Sequence, residues 1–266
     1  MTLSVEARAL RGFAVDFLTS HDTSAVEWVM DPAYRLSIGG HVFAGRDDGY
    51  LPATAAQLDQ FPGLTVTVHD AILGSEGVAM RFTEHGASIR DGGRVAAWRG
   101  ITLFRLADGR LSHGWAEEDY LARKRQLKSG LPDAVSAPGL APWDQAVLGP
   151  DGVTEAVVRG WLPEILHSPL IDPVLIGGPG FASLIEAGGQ TVSHLFTAGA
   201  RAAVHVEYRG GYAGGFEDID TSLVGTPVVL RLAAMIDVAD GAIIRAQVSG
   251  DRLGLHRQLL AVQRGA

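Results

Sequence analysis

The chain has 266 residues, 47% hydrophobic and 20% charged, a balance that suits compact packing and a length that allows one large domain or two of ordinary size. A formal net charge of -8 lacks the basic footprint of a nucleic-acid-binding protein. The absence of cysteine excludes disulfides, thiolate nucleophiles and thiolate-held metals.

The opening residues, Met1-Thr2-Leu3-Ser4-Val5-Glu6, have neither the basic start nor the apolar stretch of a signal peptide, and no run reaches membrane-spanning length. The expectation is a soluble, cytoplasmic protein. From Glu6 to Leu18, apolar residues recur on one helical face, and Thr19-Ser20-His21-Asp22 ends that helix. Asp22 or Ser24 can cap a second short helix carrying Val26, Val29 and Met30. After the Asp31-Pro32 turn, Tyr34 to Ile38 reads as a strand ending at Gly39-Gly40, and a third helix runs from about Asp47 to Gln60. Four alternating stretches follow, 64–73, 77–85, 95–106 and 111–117, with turn chemistry at Asp91-Gly92-Gly93 and Asp108-Gly109. Helices first and a curved antiparallel sheet afterwards describe an α+β domain, with helices on one sheet face and a partner on the other.

From Gly130 to Pro142 the composition shifts to Pro, Ala, Ser and Gly, which places a boundary: a domain at 1–129, a linker at 130–140 and a second domain at 141–266. The second half repeats the first. Asp119-Tyr120-Leu121 leads to Arg125-Gln126-Leu127 as Asp251-Arg252-Leu253 leads to Arg257-Gln258-Leu259, and Gly93, Arg99, Asp108 and Gly109 meet Gly225, Arg231, Asp240 and Gly241 at the same offset. A helix is expected over 153–167, strands over 191–197, 202–208, 227–238 and 242–248, and Val174-Leu175-Ile176-Gly177-Gly178 echoes Arg35 to Gly40. The stretch from Gly178 to Thr191 is about half as long as its counterpart from Gly40 to Thr65, so the second cavity is expected to be reduced or absent.

Several motifs together resemble the nuclear-transport-factor-2-like (ketosteroid-isomerase-like) superfamily, in its SnoaL-like polyketide cyclase branch, as a tandem duplication. They are the opening helix ending at His21-Asp22, Phe61-Pro62-Gly63-Leu64, Trp98 to Arg105, Asp108-Gly109-Arg110-Leu111, Trp115 and Asp119. The resemblance implies two cone-like domains, each a strongly curved sheet wrapped by helices around a cavity, paired through their open sheet faces within one chain. A homodimer is a further option the sequence leaves open. Relatives of this shape include cyclases, isomerases, epoxide hydrolases, dehydratases and binding domains, so fold alone does not choose an activity. In true cyclases of the family a carboxylate near the end of the last strand is the general base, and Asp119 is the matching position. The tyrosine-and-paired-aspartate arrangement of ketosteroid isomerases and the arginine-centred acidic pair of epoxide hydrolases are not identifiable.

The residues themselves offer acid–base chemistry. Two-residue alternation puts Leu111, His113, Trp115 and Glu117 on one side of the final strand, with Asp119 joining them if the strand continues. Asp119 reads two ways, as a base needing a raised pKa or as the cap of the following helix, a role that Asp251 repeats. Glu84 interrupts the apolar face of Val78, Met80 and Phe82. His113 and His41 occur only in the first copy, Tyr34 offers a phenolic donor, and Trp98 packs either in the cavity or between sheets. Arg99 and Arg231 share a register, which suggests a structural contact where the sheets meet, and Arg123-Lys124-Arg125 with Lys128 reads as a solvated helix end. No phosphate-gripping loop or nucleophile elbow occurs, and neither a cofactor nor a metal is expected. The expected catalytic set is Asp119, His113, Glu84 and His41, with Tyr34, Trp98, Trp115 and Glu117 around the substrate. The expected activity is a cofactor-independent cyclase or isomerase for a small apolar carbonyl compound. The alternatives are a binding protein for a small hydrophobic ligand and a protein-interaction scaffold.

Overall fold

The computed structural model describes residues 2–171 and 178–265. The protein is α+β, with two sheets that each carry helices on one face. Helix α1 (Val5–Arg11) is capped by Ser4 and continues as a π-helical segment, Gly12–Thr19. A short α2 (Val26–Val29) leads into β1 (Met30–Ile38), which begins earlier than the sequence suggests. Gly39-Gly40 is a hairpin turn, both residues at positive φ, and returns the chain as β2 (His41–Ala44), a strand that the alternation pattern does not reveal. A π-helical turn (Arg46–Tyr50) and α3 (Leu51–Gln60) precede β3 (Thr65–Gly74), β4 (Gly77–Ser88), β5 (Arg94–Ala107) and β6 (Arg110–Glu118). The order is β2-β1-β6-β5-β4-β3, antiparallel except that β1 runs parallel to β6. Helix α4 (Tyr120–Ser129) closes this part.

Residues 130–150 hold no helix or strand, yet they are tied down along β3. The Gly139 and Leu148 N–H groups donate to the Val68 and Leu73 carbonyls (2.9 and 3.1 Å), so this strap covers an otherwise unpaired sheet edge. Helix α5 (Gly152–Trp161), β7 (Ile185–Ala198), β8 (Arg201–Tyr212), β9 (Pro227–Ala239), β10 (Ala242–Gly250) and α6 (Arg252–Gly265) form the second half, with sheet order β10-β9-β8-β7. The echo at 174–177 lies outside the described residues. Among the described residues no helix is long and apolar enough to cross a membrane.

The repeated sequence has a physical cause. Asp119 and Asp251 each accept from the N–H three residues on, at Ala122 (3.2 Å) and Gly254 (2.7 Å), and so start a helix. Further along each helix, the Gln126 amide bonds both the N–H and C=O of Ala97, and Gln258 does the same to Val229. Cap and clamp pin each terminal helix to its own sheet, which needs Asp and Gln at that spacing.

The sheet faces turned away from the helices meet each other. Ile72, Ala79, Ile101 and Leu103 of the first sheet share a buried apolar cluster with Phe196, Ala203, Ala233 and Met235 of the second. Polar contacts flank it: Arg201 pairs with Asp70 (2.6 Å) and Asp237 (2.8 Å), and the fully buried Arg252 pairs with Asp119.

Candidate active site

The first sheet curves around a cavity of about 130 Å³. Phe13 and Leu18 from the first helix, Tyr50, Thr54 and Gln57 from the third, and Leu36, Phe43 and Phe82 from the strands form its walls. Into this apolar space project two carboxyls, Glu84 from β4 and Glu118 from the last position of β6. Both are buried. Gln57 Nε2 donates to Glu84 Oε2 (2.7 Å), Trp98 Nε1 donates to Glu118 Oε2 (2.8 Å), and the Tyr120 hydroxyl adds a further bond to Glu118.

The two carboxyls line the same cavity wall and influence each other's titration. Desolvation raises both above the usual carboxylate range, and the charge of Glu118 adds to the rise at Glu84. The pair as a whole therefore holds a proton at a pH where a solvated carboxyl has lost its own. Arg123 limits the shift: its guanidinium stacks over Tyr120 (4.3 Å), Trp98 (4.9 Å) and Phe61 (5.6 Å), and its charge favours the ionised forms. The basic stretch at 123–125 is thus only partly a solvated helix end; Arg125 pairs with Asp133. The Thr102 hydroxyl, buried and lining the cavity, has no hydrogen-bond partner among the described residues. Among the described residues no group of three His, Asp or Glu side chains gathers that could hold a metal ion.

The family model of the SnoaL-like polyketide cyclases matches residues 8–127, the same stretch that builds this cavity. Over those residues the chain is similar to the SnoaL-like family. No curated protein is a match to the chain. Solved structures similar to about half of it include a putative polyketide cyclase from Acidithiobacillus ferrooxidans (20% identity, 49% of this chain and 99% of that one, TM-score 0.44). Others are a putative SnoaL-like polyketide cyclase from Jannaschia sp. CCS1 (20%, 48% and 94%, 0.43) and AclR, a putative hydroxylase from Streptomyces galilaeus (19%, 47% and 96%, 0.41).

In this part of the chain the expected site residues separate into four places. Glu84 lines the cavity, and Trp98, fully buried, stands behind it and holds Glu118. Tyr34 is packed in the core edge-on to Tyr50 (5.1 Å), its hydroxyl over Gly114, outside the cavity lining. Asp119 is also outside that lining, held as the cap of α4 and the partner of Arg252. The remaining residues face the other sheet. His113 stacks on Trp115 (3.7 Å), which stacks on His194 of the second domain (4.1 Å). Glu117 contacts His205 Nε2 at 2.9 Å. His41 is exposed at the groove between the domains.

Of the four residues expected on one face, His113, Trp115 and Glu117 do share it, but it is turned to the other sheet, and Leu111 lies on the opposite side. The register changes from Arg105↔His113 to Leu106↔Leu111, so Ser112 is an extra residue in β6. This bulge breaks the alternation: Leu111 joins the cavity-side core, and Ala116 and Glu118 follow it inward. Sequence reasoning missed Glu118, Gln57, Thr102 and Tyr120. The signal for Glu118 was the second copy, where its counterpart is Gly250.

Proposed function

We propose that the first domain is a cofactor-independent acid–base isomerase or cyclase for small apolar carbonyl compounds, with Glu84 and Glu118 as its proton-transfer pair. The observation that carries this reading is two buried carboxyls, both raised by desolvation, at the wall of one apolar cavity. Such a pair holds an acid and a base ready at the same pH. Glu118 removes the proton from a carbon next to the substrate carbonyl, and the electron pair moves onto the carbonyl oxygen, where the free Thr102 hydroxyl donates a hydrogen bond. The enolate carbon then takes a proton at a new position or closes a ring on a second carbonyl, whose oxygen takes the proton from Glu84. Carboxylates are the titratable acid–base groups that project into the cavity among its described lining residues, and they carry the chemistry. The pairing of the two sheets reads as an intramolecular pseudo-dimer that keeps the cavity-bearing sheet covered on its outer face.

The test is deuterium exchange at the α-carbon of 2-tetralone in D₂O, followed by NMR. Protein-dependent exchange is expected, falling about 100-fold or more in E84Q and in E118Q, the scale of general acid–base catalysis. Because burial raises both carboxyls, activity extends above the ordinary carboxylate range and is lost as the pair's proton leaves at higher pH. Intact protein that exchanges no faster than buffer would sink the catalytic reading and leave the ligand-binding one.

A further inference from the structure

The cavity opens beside a larger space that belongs to both halves of the chain. A groove of about 540 Å³ runs between the domains and shares Ile38, Phe43 and Tyr120 with the cavity wall. Its far wall comes from the second domain and is cationic: Arg231 from β9 and Arg257 from α6, with His41 opposite on the β1–β2 turn. Arg231 leans on that turn, its Nη1 2.8 Å from where a Cβ on Gly40 would stand, and its charge is offset by Glu207 at 2.8 Å. Arg257 is exposed and makes no hydrogen bond or ion pair among the described residues.

Among the described residues, the one carboxyl lining this groove is Asp251. It is 5% exposed, its Oδ1 accepts from Gly254, and its Oδ2 is buried without a partner. Desolvation pushes its carboxyl up despite the nearby Arg231, Arg257 and His41. Glu117 reaches the adjoining pocket around His41 and is also held well above its ordinary range, by burial and then by Asp251. The acidic groups of the groove are thus offset or biased toward neutrality, while a guanidinium remains unmatched.

We propose that this groove binds a carboxylate of the substrate, seated on Arg257 and Arg231, while the ketone-bearing apolar body enters the cavity past Ile38, Phe43 and Tyr120. The second domain then supplies specificity to a reaction carried out in the first. Arginine suits the task, since its planar fork matches a carboxylate. Asp251, when protonated, donates to the same group through its free oxygen. The inference rests on the acid–base reading only for where the ketone lies; the anion seat stands on its own geometry.

The experiment is calorimetric titration with 2-naphthoate and its uncharged methyl ester at low salt. The acid is expected to bind about 10-fold or more tightly than the ester; R257Q removes most of that preference and leaves the ester within twofold. Arg257 is exposed, so R257Q keeps the fold, whereas R231Q disturbs the Gly39-Gly40 turn and serves as a second variant. Equal affinities for acid and ester, equal weakening of both by R257Q, or no binding of the acid overturns the proposal. If E84Q and E118Q leave tetralone exchange unchanged while R257Q still selectively weakens the acid, the acid–base reading fails and the groove stands. Loss of exchange in those variants with no effect of R257Q on the acid overturns the groove and leaves the acid–base reading in place.

Discussion

The two cones of this chain are built alike and finished differently. In the first, Glu84 faces Trp98 across β4 and β5, and Gly100 faces Glu118 across β5 and β6. In the second, Tyr208 faces Leu230 and Leu232 faces Gly250. Small and large are exchanged: Gly100 leaves room beside Glu118, whereas Leu232 and Phe181 occupy the space beside Gly250. The Tyr208 hydroxyl donates to the Leu162 carbonyl (2.6 Å) and so spans what is cavity in the first cone. Leu162, Ile165, Leu184 and Leu230 complete a continuous core. One copy keeps two desolvated carboxyls beside a void, at a cost in stability; in the other, the described residues at the matching positions are apolar and packed. The difference teaches that the fold does not need the carboxyls, so their presence in one copy calls for a functional cause.

The comparison breaks most visibly if the first cone is given the second cone's residues. Glu84→Tyr combined with Glu118→Gly is expected to close the cavity and return tetralone exchange to the buffer rate, with unchanged or raised melting temperature. Tyr208→Phe in the second cone, by contrast, leaves exchange untouched and costs about 1 kcal/mol for one lost hydrogen bond. Exchange that survives the double substitution would locate the chemistry elsewhere.

Asp119 sharpens the comparison from the other side, because its repeat in both cones marks it as a structural part. Asp119→Ala removes a helix cap and leaves Arg252 buried without its partner carboxylate, a loss expected to cost about 3–5 kcal/mol by urea denaturation. The rate per folded molecule of tetralone exchange is expected to stay within a few-fold of the intact protein. A loss as large as that in E118Q would make Asp119 part of the proton-transfer machinery.

Most of the architecture was legible in the sequence, because turns and alternation report backbone chemistry directly. Asp108-Gly109 and Asp240-Gly241 are found at positive φ in matching hairpins, and strands 64–73 and 77–85 lie within two or three residues of their observed ends. The site was legible at Glu84, whose strand alternates without interruption from Val78. It was misread on β6, where one bulged residue reverses the faces, and a bulge leaves no compositional mark. Asp119 stayed open between two readings for a different reason. A capping aspartate and a catalytic one sit at the same place at the end of a strand, and the repeat at Asp251 favours the cap, while the pairing with Arg252, 133 residues away in sequence, is invisible without the fold.

The filled cone can itself be probed by adding a single carbon. A Cβ at Gly250 would stand 2.5 Å from Leu232 Cδ2 and 2.6 Å from a ring carbon of Phe181. Gly250→Ala is therefore expected to destabilise the protein by about 1–3 kcal/mol through overpacking. Pairing it with Phe181→Leu should recover part of that loss. An unaffected melting temperature in Gly250→Ala would mean that the second cone has slack, and that the contrast between the cones is smaller than its packing indicates.

The smallest expected effect lies where the two copies touch. His194 is held between Trp115 and the second sheet, and desolvation, followed by the charge of Arg105, lowers its pKa from the ordinary value to about 4. A histidine whose folded pKa is depressed stabilises the folded form above its unfolded pKa of about 6.5, and that contribution is lost as pH falls toward 4. The raised carboxyls Glu84, Glu117 and Glu118 act in the opposite sense over part of this range, since the folded protein then holds protons that the unfolded chain releases. The parent's own pH profile therefore mixes both, and a variant is needed to isolate the histidine. His194→Phe keeps a flat ring on Trp115 and removes the titrating nitrogen. Its melting temperature should match the parent's near pH 7.5 and exceed it near pH 5, by a margin on the order of 2 °C. A gap that stays constant between those pH values would show that the contact between the cones holds His194 without desolvating it.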